Sequence, residues 1–146
     1  MVMAMFNKIL VVCVGNICRS PTGEWLLKKY IPDKTIESAG INALIGNDAD
    51  AKALEVAKKN QLDIVGHQAR QLNRRLCKDY DLILVMEKGH IDAVCQIAPG
   101  ARGKVMLYGH WIAKEIPDPY CKSLEAFEAT YLLLKQAARE WASKLS

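Results

Sequence analysis

The sequence predicts an α/β fold in a single three-layer domain, a four-stranded parallel sheet with helices on both faces. Three observations predict it. The runs Ile9-Leu10-Val11-Val12 and Leu82-Ile83-Leu84-Val85 are β-branched and aliphatic without polar alternation, as in strands buried on both faces. Segments whose apolar residues step by three and four alternate with such runs, the pattern of helices crossing over a parallel sheet. The 146 residues, 51% hydrophobic and 25% charged, suffice for one sizeable core.

Taken in order, Lys8 to Val14 reads as the first strand. Pro21 suits the first position of a helix running to Tyr30 with Leu26 and Leu27 on its inner face. Thr35 to Ala39 is a second strand ending at Gly40, so this βαβ unit should cross over right-handed. Residues 41–48 form a loop, and Asp48 or Asp50 caps a helix to Asn60 with Leu54 and Ala57 inward. Gln61 to Gln71 is irregular, turning at Gly66, and a short helix spans Leu72 to Lys78. Tyr80 to Met86 is the third strand, Lys88 to Ile97 a helix stopped by Pro99-Gly100, and Lys104 to Tyr108 the fourth strand. After a loop from Gly109 to Tyr120, the longest helix runs from Ser123 to the end. Its positions Leu124, Phe127, Tyr131, Leu134, Ala138, Trp141 and Leu145 suit packing on the domain's own sheet better than a coiled coil, which needs a longer repeat.

The stretch Cys13-Val14-Gly15-Asn16-Ile17-Cys18-Arg19-Ser20-Pro21 joins the first strand to the first helix and reads as a phosphate-binding loop. Loop amides and a helix N-terminus converge on one spot and favour an oxyanion. Gly15 is expected to permit a turn that a Cβ would obstruct. Arg19 adds a bidentate fork, and the same positive field favours the thiolate of Cys13 as a nucleophile. A Cys-x5-Arg spacing is weak evidence by itself, and buried cysteines are commonly packing residues. The strand before it and the helix after it supply the context that such a motif requires.

A thiolate that displaces an alkoxide or phenoxide from phosphorus needs an acid for the leaving group. Asp118, between Pro117 and Pro119, follows the fourth strand at the carboxyl end where ligands bind in open α/β sheets. Its two prolines would hold it in one orientation, although the segment also reads as a plain turn with a solvated aspartate.

The net charge of +4 comes from cations spread along the chain, which argues against nucleic-acid binding. The apolar runs are strand-sized and the start lacks a basic n-region, so the sequence predicts a cytoplasmic protein with no membrane insertion. Met5 is a second candidate start, and residues 1–5 read as a candidate extension of the domain. Five cysteines, without a secretory signal, argue against a disulfide framework. His67, His90 and His110 lie far apart and there is no Cys-x2-Cys pair, so neither a metal nor another cofactor is expected. Cys77, Cys95 and Cys121 receive no role.

The loop from Cys13 to Pro21, with Asp118-Pro119-Tyr120 near the C-terminus, resembles the low molecular weight protein tyrosine phosphatases over nearly the whole domain. The resemblance implies hydrolysis of protein phosphotyrosine through a cysteinyl phosphate. Cys13 would be the nucleophile, Arg19 the phosphoryl-binding group, Asp118 the general acid and Ser20 a hydrogen-bond donor to the thiolate. It implies a loop-supporting network of Asn16, Ser38 and His67; alone, His67 reads as a surface or satisfied core histidine. It further implies that Tyr120 walls the substrate pocket and that Cys18 guards Cys13 by a reversible disulfide, the alternative being a packed thiol. Cys121 follows Tyr120 where many eukaryotic members carry a second aromatic, and the opposite wall at Leu44 is aliphatic. Both departures resemble the bacterial branch acting on autophosphorylated membrane tyrosine kinases of capsule and exopolysaccharide export, whose cytoplasmic tail would be the partner.

Two rivals use a similar loop, and one of them, an arsenate reductase, shares the architecture. An arsenate reductase would need further cysteines as a relay, and Cys77 and Cys95 are too far apart in sequence to suggest one flexible relay segment. A phosphocysteine carrier has no need of Arg19 and Asp118. A pure phosphotyrosine-binding module has no use for a nucleophile and an acid.

Overall fold

Strand β1 (Lys8–Cys13) lies inside a parallel sheet ordered β2-β1-β3-β4, with β2 at Thr35–Gly40, β3 at Leu82–Val85 and β4 at Val105–Leu107. In this computed structural model residues 6–146 are described, and the candidate extension at residues 1–5 lies outside them. Cys13 pairs with Gly40 and Val12 with Val85, so the carboxyl ends of the three strands nearest the Cys13 loop meet at one edge.

The period of two along β1 divides two cores. Ile9, Val11 and Cys13 face a core shared with α1 (Arg19–Tyr30), α2 (Ala51–Lys59) and α5 (Leu124–Leu145). Leu10 and Val12 face a smaller one shared with α3 (Arg74–Lys78) and α4 (Lys88–Ile97). The three layers and four parallel strands expected from the sequence are therefore present. Helix α5 packs on its own domain: its periodic residues from Phe127 to Leu145 are buried, and Trp141 Nε1 donates to Tyr108 O at 2.8 Å. Tyr108 in turn donates its hydroxyl to Gly23 O at 2.9 Å, fixing β4, α1 and α5 together. None of the described helices is long and apolar enough to cross a membrane.

Several boundaries differ from expectation. Helix α1 starts at Arg19, so Pro21 is its third residue, where a missing N–H still costs no helical bond. Asp50, not Asp48, caps α2 by accepting from Lys52 N at 2.9 Å, and the buried face is Ala53, Val56 and Ala57 with Leu54 only half-buried. Helix α3 begins at Arg74, because Asn73 caps it and Gln71 is drawn into a bridge with Gly40. Strands β1, β3 and β4 are each shorter than read. Val14 leaves β1 to start the loop, Tyr80 turns its hydroxyl to Glu37, and Asp81 accepts Asn7 N and Lys8 N, which holds its carboxyl below the usual range. A 3-10 turn at Pro99–Lys104 leads into β4, and another, His110–Ile112, follows it.

Candidate active site

The carboxyl end of β1 delivers Cys13 to a loop that enters α1 directly, with Cys18 as the cap residue and Arg19 as the first helical one. The turn is made by Asn16, whose φ of 60° places a non-glycine residue in the left-handed region. Gly15 is not the residue that needs to lack a Cβ: one built there meets nothing closer than 3.7 Å. The requirement falls on Gly40 across the sheet, where a Cβ would lie 2.5 Å from Val14 O. The loop leans on β2 that closely because Ile41 N and Asn42 N donate to Cys13 O and Val14 O, each at 2.9 Å.

Asn16 is wholly buried and every polar atom of its side chain is engaged. Its Oδ1 accepts from Arg70 N at 2.9 Å, which fixes the orientation of the amide. Nδ2 then donates to Ser20 Oγ at 2.7 Å and to Ser38 Oγ at 3.0 Å. Ser38 Oγ in turn donates to Glu24 Oε1 at 2.6 Å. Ser20 Oγ, already accepting from Asn16, is left with its proton free for Cys13 Sγ at 2.9 Å, and Ser20 N points at the same sulfur from 3.4 Å. His67 Nε2 lies 2.5 Å from Asn16 O, so Nε2 carries the proton in this tautomer. The structure thus brings Asn16, Ser38, His67 and Ser20 together behind Cys13.

Arg19 is 2% exposed, and its guanidinium is clamped from the far side. NH1 donates to Glu87 Oε2 at 2.5 Å and to Ile116 O at 2.8 Å, while NH2 lies 3.7 Å from Asp118 Oδ2. Asp118 is 48% exposed, and its Oδ1 accepts Tyr120 N at 3.0 Å in a local turn. His90 lies 3.9 Å from Glu87, and its burial, with Arg19 nearby, holds its pKa below the ordinary value.

These groups face a cavity of about 220 Å3 whose lining includes Cys13, Arg19, Leu44, Asp118 and Tyr120, together with Val14, Gly15, Ile17 and Cys18. Its walls at Leu44 and Tyr120 are half-exposed, as a pocket mouth requires. Cys18 is buried and reduced, and burial pushes its thiol pKa up, helped by Asp50 and Cys13. Chemically, the arrangement can hold a tetrahedral oxyanion against a thiol, between a fixed guanidinium and a carboxyl able to exchange protons with solvent.

Three contributors escaped the sequence reading. Glu87 follows β3 at the same sheet end that singled out Asp118, a signal that could have found it. Glu24 is a buried acid one turn beyond Ser20. Arg70 stands three residues after His67; its backbone N–H, for which no side-chain pattern exists, fixes Asn16, and its Nε donates to Ser38 O at 2.9 Å.

Residues 8–146 match the family described as low molecular weight phosphotyrosine protein phosphatase. The chain is 60% identical over 143 residues to the low molecular weight protein-tyrosine-phosphatase Wzb of Escherichia coli K12, covering 97% of each chain. Among solved structures it resembles Vibrio vulnificus Wzb in complex with benzylphosphonate, at 62% identity and a TM-score of 0.95, over 96% of this chain and 99% of that one. It also resembles Wzb of Escherichia coli K30 in complex with sulphate, at 52% identity and a TM-score of 0.96, over 97% and 100%. The similarity spans sheet, loop and C-terminal acid segment alike, and the chain belongs to the low molecular weight, cysteine-dependent protein-tyrosine phosphatases.

Proposed function

We propose that the chain dephosphorylates phosphotyrosine in a bacterial protein, with a membrane tyrosine autokinase of exopolysaccharide synthesis or export as the partner presented by its cytoplasmic tail. The observation that carries the chemistry is the convergence of Cys13, Arg19 and Asp118 on one cavity, with the buried Ser20 hydroxyl 2.9 Å from Cys13 Sγ behind it. The partner rests on the resemblance to the bacterial branch and on the aliphatic wall at Leu44. No metal or other cofactor enters the scheme.

In the first step the Cys13 thiolate attacks phosphorus, forming S–P as the P–O bond to tyrosine breaks. Arg19 and the loop amides hold the equatorial oxygens, and Asp118 gives its proton to the departing phenoxide. Ser20 stabilises the thiolate before attack and after its release. In the second step Asp118, now a carboxylate, takes a proton from water as that water displaces sulfur, releasing inorganic phosphate. Cys18 serves as the guard: peroxide oxidising Cys13 to a sulfenic acid would be met by the Cys18 thiol, giving a disulfide and water.

The test is phosphate release from phosphotyrosine, phosphoserine and arsenate-reduction assays side by side, with Cys13→Ser, Arg19→Ala and Asp118→Ala. Phosphotyrosine turnover is expected to vanish in the first two and to fall by about 10²- to 10⁴-fold in the third, most for phenols of high pKa. Full turnover in Asp118→Ala would remove its role as acid. Thioredoxin-coupled arsenate reduction lost in Cys77→Ser would replace the phosphatase reading, and a stable phosphocysteine in the wild type would favour a carrier.

A further inference from the structure

A cavity of about 240 Å3 opens in the layer of α3 and α4, between α3 and the 3-10 turn Pro99–Lys104. It shares no lining residue with the cavity over Cys13. Lys78 and Lys104 stand just before β3 and β4, so the cavity reaches towards the sheet end opposite Cys13. Its charged lining is Arg74, Lys78 and Lys104, with no carboxylate among them. Its floor is apolar: Cys77, Ala98 and Ala101 are each buried. Gly100, where a Cβ would meet nothing within 4 Å, marks the open side.

The acids that flank these segments in the chain do not compensate the three cations. Asp81 accepts Asn7 N at 2.9 Å and Lys8 N at 3.0 Å, and Asp92 lies 4.0 Å from Arg102, which is outside the lining. Asp79 ends α3 and does not line the cavity. The side chains of Arg74 and Lys78 have no hydrogen-bond or ion-pair partner among the described residues. Lys104 is held in place, since its Nζ donates to Tyr80 O at 2.6 Å, and the ammonium keeps further protons for another acceptor. On a convex surface water disperses such charges, but on the walls of one concavity over an apolar floor their fields add and draw an anion in.

We propose that this cavity binds a pyrophosphate group, carried by a nucleoside diphosphate or free as inorganic pyrophosphate. The Arg74 guanidinium offers a planar fork to two oxygens of one phosphate, and Lys78 and Lys104 offer point charges to the other. A single carboxylate would leave two of the three cations uncompensated, whereas two linked phosphates can meet all three. The volume is below the roughly 300–1,000 Å3 of pockets that enclose a whole drug-sized ligand, so the phosphates are held and any nucleoside projects into solvent.

The test is a titration of isotope-labelled protein with inorganic pyrophosphate, ADP or adenosine, followed by the NMR shifts of the Cys77, Gly100 and Ala101 amides. Gly15 and Ile17 report separately on anions entering the cavity over Cys13, so the two sites are read independently. Pyrophosphate and ADP are expected to shift the Gly100 and Ala101 amides saturably, and adenosine to leave them in place. Arg74→Gln with Lys78→Gln should weaken that binding by about tenfold, the order expected for losing two exposed charge-assisted contacts. Lys29→Gln with Lys58→Gln, the same loss of charge from exposed positions elsewhere, should leave it unchanged. The rest of the amide spectrum checks the fold of both variants. Tighter binding of ADP would assign the site to nucleotides, and tighter binding of pyrophosphate to the inorganic ion. No saturable shift at Gly100 and Ala101, equal affinity in the Arg74 and Lys78 double variant, equal weakening in the Lys29 and Lys58 control, or adenosine acting as ADP does would each overturn the assignment.

Discussion

Asn16 Nδ2 donates to Ser20 Oγ at 2.7 Å, and through that single bond the orientation of a buried amide decides where the proton of the serine hydroxyl points. Because the same oxygen cannot also donate towards Asn16, its proton is free for Cys13 Sγ. The Cys13 sulfur thus stands at the end of a hydrogen-bonded chain running from Arg70 N through Asn16 and Ser20, one link of which is pure backbone.

Ser20→Ala removes the donor and leaves Asn16 Nδ2 bonded only to Ser38. A hydrogen bond to a charged group contributes about 1.5–3 kcal/mol, which corresponds to roughly 10- to 100-fold in the chemistry it supports. Alkylation of Cys13 by iodoacetate near neutral pH and the rate of phosphotyrosine hydrolysis should both fall by that order, while far-UV circular dichroism stays as in the wild type. Unchanged alkylation would refute the directed-proton account.

Glu87→Gln keeps the shape of the clamp but withdraws the negative charge facing the buried Arg19, which retains Ile116 O and the more distant Asp118. Since Glu87 is 40% exposed, the cost in stability is held to about 1–2 kcal/mol by solvent screening. KM for phosphotyrosine should rise as the guanidinium loses its fixed pose, and urea denaturation gives the stability term. A variant with wild-type KM and midpoint would show that Ile116 O alone positions Arg19.

Gly40→Ala forces a Cβ against Val14 O at 2.5 Å, and backbone cannot give way as a side-chain tip can. The expected loss is about 1–3 kcal/mol together with reduced turnover, because the displaced carbonyl belongs to the loop that carries Cys13. Gly15→Ala, whose Cβ meets only ordinary contacts, is the matched control and should be the milder of the two in denaturation midpoint.

His90 supplies a pH dependence whose sign follows from burial. Its folded pKa lies below the ordinary 6.5, so the unfolded chain binds the proton more readily. This group costs no stability well above 6.5, and the folded state loses ground as pH falls through 6.5 towards the lowered value. His90→Asn should flatten that segment of the curve of unfolding free energy against pH. A curve with the same slope there would assign the acid sensitivity to other groups.

The sequence by itself determined the strand-loop-helix carrying Cys13 and Arg19, the sheet end at which Asp118 stands, and the sheet-packed C-terminal helix. Each of these is written in local pattern: an apolar run, a spacing of nine residues or fewer, a period of three and four. Other matters were decided only by tertiary structure, because they depend on which distant backbone groups the strand register brings together. The partner of Asn16 Oδ1 is an amide at Arg70, the counter-charge of Arg19 is Glu87, and the glycine that the loop requires is Gly40 on the neighbouring strand, not Gly15 within the loop. Hydrogen-bond direction and van der Waals contact act over a few ångströms in space, and in a parallel sheet the residues meeting at that range are separated in sequence by whole crossovers.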